Sequence, residues 1–147
     1  MALVNVYLNF NGNCEEAFNF YKSVFGGEFS YIGRFNEMPP GEDGGKISPE
    51  DGNRIMHVGL PISKETQLLG SDTGGEWAQY FKQGNNFSIS VTPGSADEAK
   101  RLFDGLAEGG KVTMPLNKTF WADQFGMLED KFGINWMVSY SENQGAM

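Results

Sequence analysis

Val4-Asn-Val-Tyr-Leu-Asn-Phe-Asn-Gly-Asn-Cys-Glu-Glu-Ala17 is the stretch whose reading decides the fold, because its pattern returns at Phe87-Ser-Ile-Ser-Val-Thr-Pro-Gly-Ser-Ala-Asp-Glu-Ala99. Both stretches alternate apolar and polar residues, break at a glycine, and then enter a helical spacing. Sliding the first copy forward until Gly12 lies on Gly94 brings Glu16 onto Glu98, Ala17 onto Ala99 and Gly27 onto Gly109. Tyr21 then meets Phe103, and Val24 meets Leu106. The matches fall at a helix start, along a helix face and at a helix stop. The period is too long for a stacked repeat of 20 to 50 residues, so it implies two halves of one domain.

In the first half, Val4, Val6, Leu8 and Phe10 share one strand face, and Asn5, Tyr7 and Asn9 share the other. Asn13 is placed to cap a helix with Glu15 and Glu16 in its first turn. Cys14, Ala17, Phe18, Tyr21, Val24 and Phe25 then form its apolar stripe, and Gly26-Gly27 ends it. Glu28 to Glu37 reads as a second strand. Met38 to Asn53, rich in Pro, Gly, Asp and Glu, reads as a long mobile loop. Arg54 to Ile62 alternates again, with Met56, Val58, Leu60 and Ile62 toward the helix and Ile55, His57 and Gly59 away from it. Thr66 to Asp72 is the fourth strand.

A linker at 73–85, carrying Trp77, Tyr80 and Phe81, is expected to form a helical turn or lid. The second half opens with Phe87, Ile89 and Val91 against Ser88, Ser90 and Thr92. Ser95 and Glu98 make a capping box. Ala99, Leu102, Phe103, Leu106 and Ala107 supply the buried stripe, and Gly109-Gly110 stops the helix. Strands follow at 111–116, 121–129 and 134–140, the last two joined at Asp130-Lys-Phe-Gly133, a hairpin turn. The expected class is α+β: two βαβββ halves, about 1–72 and 86–141, forming a mixed, curved sheet cleft within a single domain. The strand face away from each helix is free to line that cleft, the usual setting for a small-molecule site.

At 147 residues the chain buries roughly 70% of its unfolded surface, whereas either half alone is marginal. A net charge of −8, with 11 basic residues and no basic run, speaks against nucleic acid, which needs clustered cations. Cys14, the only cysteine, has no intrachain disulfide partner, which fits a reducing compartment, and a packing role in the first helical turn is favoured over reactivity. The N-terminus lacks a leader pattern and no apolar run reaches membrane length. These features describe a cytoplasmic protein with no membrane partner.

Three stretches carry a family resemblance: Tyr7 to Gly26, Ile55-Met-His-Val-Gly-Leu60 with Leu68-Leu-Gly-Ser-Asp72, and Phe120-Trp-Ala-Asp-Gln-Phe-Gly126 with Glu129-Asp-Lys-Phe-Gly-Ile-Asn-Trp136. Their order and content resemble the vicinal-oxygen-chelate superfamily of glyoxalases, extradiol dioxygenases and bleomycin-resistance proteins. Within it they are most similar to the PhnB-like branch, often labelled 3-demethylubiquinone-9 3-methyltransferase-like. The family commonly has Asp-Pro-Phe-Gly-His-Trp before the last strand; here Lys131 and Asn135 stand in place of the proline and histidine.

The resemblance implies a ligand cavity between the halves and, in the superfamily's metal enzymes, His and Glu ligands on the first and last strands of each half. Here those strands offer Asn5, Tyr7 and Asn9, then Ser88 and Ser90, then Asn135, Met137 and Ser139, none a strong ligand for Zn, Fe or Ni. Weak binding by His57, Asp72 and Asp123 requires those three to converge. No metal or other cofactor is therefore expected. A methyl donor held by a Gly-rich strand–helix turn finds no such turn.

His57 is either a strand histidine satisfied by its neighbours or a cavity base and hydrogen-bonding group, and the resemblance favours the cavity. Gly59 beside it is expected to leave room for a ligand. Asp72 and Asp123 are either turn caps or a carboxylate pair for acid–base work. Trp121 precedes a polar stretch and is the aromatic expected to stack on a ligand; Phe125 and Trp136 read as core. The candidate set is thus His57 as the catalytic residue, with Tyr7, Asn9, Ser71, Asp72, Trp121 and Asp123 as ligand contacts. The expected function is binding of an unnamed small molecule without a tight metal, with catalysis left open. The alternatives are a metal-dependent lyase or dioxygenase of the glyoxalase type and a drug-sequestering protein of the bleomycin-resistance type. Superfamily members usually pair, and 14% aromatic residues exceed the needs of one small core, so a homodimer is expected.

Overall fold

The computed structural model describes residues 2–37 and 48–142. The chain divides into two compact units between Lys82 and Gln83. The first unit contains β1 (Val6–Phe10), α1 (Cys14–Phe25), β2 (Tyr31–Arg34), a short α2 (Pro49–Gly52), β3 (Ile55–Pro61) and β4 (Gln67–Asp72). The second contains β5 (Ile89–Val91), α3 (Ala96–Ala107), β6 (Lys111–Asn117), β7 (Gln124–Glu129) and β8 (Asn135–Tyr140). The sheets run β1-β4-β3-β2 and β5-β8-β7-β6. In each, the opening strand lies parallel to the last and the other pairs are antiparallel. Both halves are therefore βαβββ units of one topology, as the internal repeat requires.

The periodicities explain the packing. On β1, Leu8 and Phe10 are buried while Tyr7 and Asn9 are exposed. α1 buries Cys14, Ala17, Phe18, Tyr21 and Val24, a three-and-four spacing that turns one stripe to the sheet. α3 does the same with Ala99, Leu102, Phe103 and Leu106. Ser95 Oγ accepts from the Glu98 amide at 3.1 Å, and Glu98 Oε1 reaches back to the Gly94 amide at 2.8 Å, one residue earlier than a capping box requires. The equivalent Gly27 and Gly109 both take left-handed φ, +82° and +76°, which explains a glycine at each helix exit. Glycine also lets each helix sit close. A Cβ on Gly70 would lie 2.6 Å from the Phe18 ring, and one on Gly126 would lie 2.6 Å from Phe103.

Several elements differ from expectation. β1 starts at Val6, and Val4 is exposed. β5 has three residues, so Phe87 is half-exposed rather than part of the core. β2 is confined to Tyr31–Arg34, and a 3₁₀ turn follows at Phe35–Glu37. Residues 38–47 of the anticipated loop lie outside the described residues, and its end folds as α2, where Ser48 Oγ accepts from the Asp51 amide. The linker forms a 3₁₀ helix at Gly75–Tyr80. Gly33 pairs with His57 but Arg34 pairs with Ile55, so Met56 is an extra residue in β3. That bulge reverses the alternation below it, and Ile55, expected to point away from the helix, is buried with Val58 and Leu60. Among the described residues no helix is long and apolar enough to cross a membrane.

Candidate functional site

Strand register builds the outer face of the first sheet. Tyr7 lies opposite Leu69, Leu69 opposite Gly59, and Gly59 opposite Tyr31. One row further, Asn9 lies opposite Ser71 and His57 opposite Gly33. His57 stands beside Ser71, one step on from the Val58–Gly70 pair. Directly paired residues point to the same side. Tyr7, Asn9, His57 and Ser71 therefore share the face turned away from α1, and Tyr31 joins them.

His57 is the centre of this group. Its Nδ1 lies 3.4 Å from the Tyr7 hydroxyl, a long hydrogen bond whose donor depends on the imidazole tautomer. Its ring centroid is 5.8 Å from that of Tyr7 and 5.9 Å from that of Tyr31. Both tyrosines remain open, 44% and 50% exposed. The imidazole is thus held between two phenol rings by stacking and one polar contact, not packed into the core. The space over Gly59 is not empty: a Cβ there would lie 2.7 Å from Ser30 Oγ and 3.0 Å from Gln67 Oε1, which bond each other at 3.1 Å. The Tyr31 ring covers Gly33 in the same way. The floor beside His57 is therefore polar and aromatic rather than vacant.

Asp72 points the other way. Oδ1 accepts from the amides of Gly12 at 2.8 Å and Cys14 at 2.9 Å, and Oδ2 from the amide of Ile55 at 2.9 Å. This carboxylate, 4% exposed, closes the amino end of α1, while Asn13 makes no side-chain cap bond. Beside it lies a cleft of about 200 Å³ lined by Gly12, Glu15, Glu50, Asn53, Arg54 and Ile55. Its charged groups are largely engaged with one another: Arg54 bonds Asn11 Oδ1 and the Thr73 carbonyl, and Glu15 pairs with Arg34. Cys14 is fully buried, and burial above all, then the charges of Asp72 and Glu15, pushes its thiol pKa up, as suits an inert packing residue.

Trp121 and Asp123 belong to the second unit, in the loop between β6 and β7. The Thr119 amide donates to the Ala122 carbonyl at 3.0 Å and holds the loop tight. Trp121 meets Phe120 and Phe125 edge-on at 4.7 and 5.2 Å and is 43% exposed. Asp123 Oδ2 accepts from the Glu142 amide at 2.8 Å, tying the loop to the chain leaving β8. Trp136 is buried, and its Nε1 donates to Asp130, which also accepts from the amides of Phe132 and Ile134. Sequence reasoning missed Tyr31 because its place beside His57 depends on the β2–β3 register. It missed the anchoring by Asp72 and Asp130 because their amide partners are set by tertiary contact.

The donor set does not suit the divalent metal centre of the superfamily's metal enzymes. Asn5 Oδ1 already accepts from the Gln67 amide at 3.4 Å, and Ser88 and Asn135 are weak ligands. Among the described residues no three His, Cys, Asp or Glu side chains are grouped to hold a metal ion. A methyl donor fares no better at α1, whose first amides are taken by Asp72.

Paired βαβββ units define a protein of the glyoxalase/bleomycin-resistance class. The fold is similar to that of a glyoxylase/bleomycin resistance protein/dioxygenase domain from Frankia sp. EAN1pec, with a TM-score of 0.65, 12% identity, and 97% and 98% of the two chains covered. More specifically, the chain belongs to the PhnB-like family described as 3-demethylubiquinone-9 3-methyltransferase, whose model matches residues 3–139. It is 32% identical to Protein YjdN of Escherichia coli (strain K12) over 94% of this chain and 95% of that one. The structure is similar to that of protein PA1353 from Pseudomonas aeruginosa, with a TM-score of 0.82, 37% identity, and 96% and 98% of the chains covered. It is also similar to a putative 3-demethylubiquinone-9 3-methyltransferase, PhnB protein, from Bacillus cereus, with a TM-score of 0.71, 27% identity, and 94% and 98% covered.

Proposed function

We propose that this PhnB-like protein binds a small molecule on the outer face of its first sheet, without a tightly held divalent metal. The two halves then act as one domain, and the protein works in the cytoplasm as a homodimer. The observation that carries the reading is His57, poised between Tyr7 and Tyr31 with its Nδ1 engaged by the Tyr7 hydroxyl. That contact orients the imidazole and leaves its Nε2 edge for a ligand oxygen or proton. Asn9 and Ser71 supply neutral hydrogen bonds in the same row. Trp121 and Asp123 complete the contact set from the second unit. Asp72 is left out because its carboxylate is engaged by three amides.

The test is a thermal-shift screen of phosphonates, quinones and polycyclic drugs, with each hit repeated on His57→Ala and Tyr7→Phe. His57→Ala is expected to leave the ligand-free melting temperature nearly unchanged, since no packed apolar contact is lost, and to remove most of each ligand-induced rise. Destabilisation above about 2 kcal/mol, the scale of core damage, or hits indifferent to both substitutions would sink the reading. Recovery of the hit after long incubation separates the two modes: an altered compound means catalysis, an unaltered one sequestration.

A further inference from the structure

On the second sheet, the face turned away from α3 carries a row of thioethers. Met114 is paired directly with Met127, Met127 with Met137, and Met137 with Ser90, so three of the seven methionines stand side by side on β6, β7 and β8. Cross-strand neighbours of this kind have Cβ atoms about 4.5–5.5 Å apart, and each methionine adds three flexible torsions. Their sulfurs can therefore converge on one point above the middle strand. The buried hydrophobic side chains of this unit include Ile89, Leu102, Phe103, Leu106, Leu128, Trp136 and Val138 but no methionine. Methionine here is confined to the open face, so it is not simply the unit's choice of apolar filler. Glu129 and Asn135, paired with each other, stand on the same face two residues along from Met127 and Met137, bringing a carboxylate near the row.

We propose that Met114, Met127 and Met137 form a three-thioether site for a soft monovalent cation, Cu(I), for which Ag(I) is a redox-silent stand-in. Thioether sulfur selects Cu(I) over harder divalent ions, and trigonal coordination needs only three such donors. The site is separate from the His57 face and does not depend on the function proposed for it. The chain's one thiol, Cys14, is fully buried in the first unit and does not compete.

The experiment is titration of the full chain, labelled at the methionine methyl carbons, with Ag(I) in chloride-free buffer. The methyl signals of Met114, Met127 and Met137 are expected to shift together and to saturate at one equivalent, in the presence of excess Zn(II). Met127→Leu, a near-isosteric change, is expected to weaken binding at least tenfold. Met114→Leu, at a half-exposed position, gives the same loss should the first variant fold poorly. The proposal is overturned if those three signals do not move, if both leucine variants bind Ag(I) as the parent does, or if Cys14→Ser abolishes the one-equivalent binding.

Discussion

The carboxylate of Asp72 shows how much a single side chain sets here. It sits where β4 ends, yet its oxygens serve Gly12 and Cys14 at the start of α1 and Ile55 at the start of β3. A negative charge at the amino end of α1 also complements the helix dipole. Deleting the side chain strands three amide donors, and each orphaned buried group costs about 1–3 kcal/mol. Asp72→Ala is therefore expected to lower unfolding stability by about 3 kcal/mol or more, seen as a fall in the urea midpoint with an unchanged slope. Asp72→Asn keeps one acceptor oxygen and should fall between the two. An unaltered midpoint in the alanine variant would show that water replaces the carboxylate at no cost.

Between elements, the most specific polar tie is the fork of Arg34 on β2 around Glu15 on α1. Nη1 meets Oε1 at 3.0 Å and Nη2 meets Oε2 at 2.7 Å, while Nη1 also donates to the Asn53 carbonyl at 2.8 Å. The hydrogen bond from Arg34 holds the Glu15 carboxyl below the usual glutamate range, against a smaller opposing effect of burial. A depressed carboxyl stabilises the fold above its unfolded pKa, and that contribution is lost as pH falls through the folded value. Both side chains are partly open to water, so screening limits the contribution to less than about 1 kcal/mol. The parent should exceed Glu15→Gln in stability at pH 7 by that small margin, and the two denaturation midpoints should converge below about pH 4, under the ordinary glutamate value. A gap that stays constant into acid would assign the difference to packing instead of charge.

The elements themselves were legible to different degrees. The stripe from Cys14 to Val24 and the alternation around Leu8 and Phe10 could be read directly, because burial on one face imposes a period. The outer placement of Tyr7, Asn9 and His57 followed from the same alternation. The inversion at Ile55 did not, since a bulge inserts one residue without marking its neighbours, and the cap on α1 comes from a residue on another strand.

At the level of the whole molecule, Tyr80, Phe87, Phe120 and Trp121 all remain exposed in the single chain. Exposed aromatic surface beyond scattered residues marks association or ligand contact. The expected solution mass at micromolar protein is twice 16.2 kDa; a mass near 16.2 kDa would count against the dimer. The divalent-metal question is also settled on the intact protein. A resident Zn, Mn, Fe or Ni needs three or four converging donors. The strands that would supply them carry Asn5, Ser88 and Asn135, and the chain's one histidine is engaged with Tyr7. Purified protein is therefore expected to hold far less than one such ion per chain. Anything that binds the native state alone must raise the melting temperature, so adding Zn(II), Mn(II), Fe(II) or Ni(II) should leave it unmoved. One tightly held divalent ion per chain, with a melting rise that disappears in His57→Ala, would replace the metal-free reading with the metal-dependent lyase or dioxygenase.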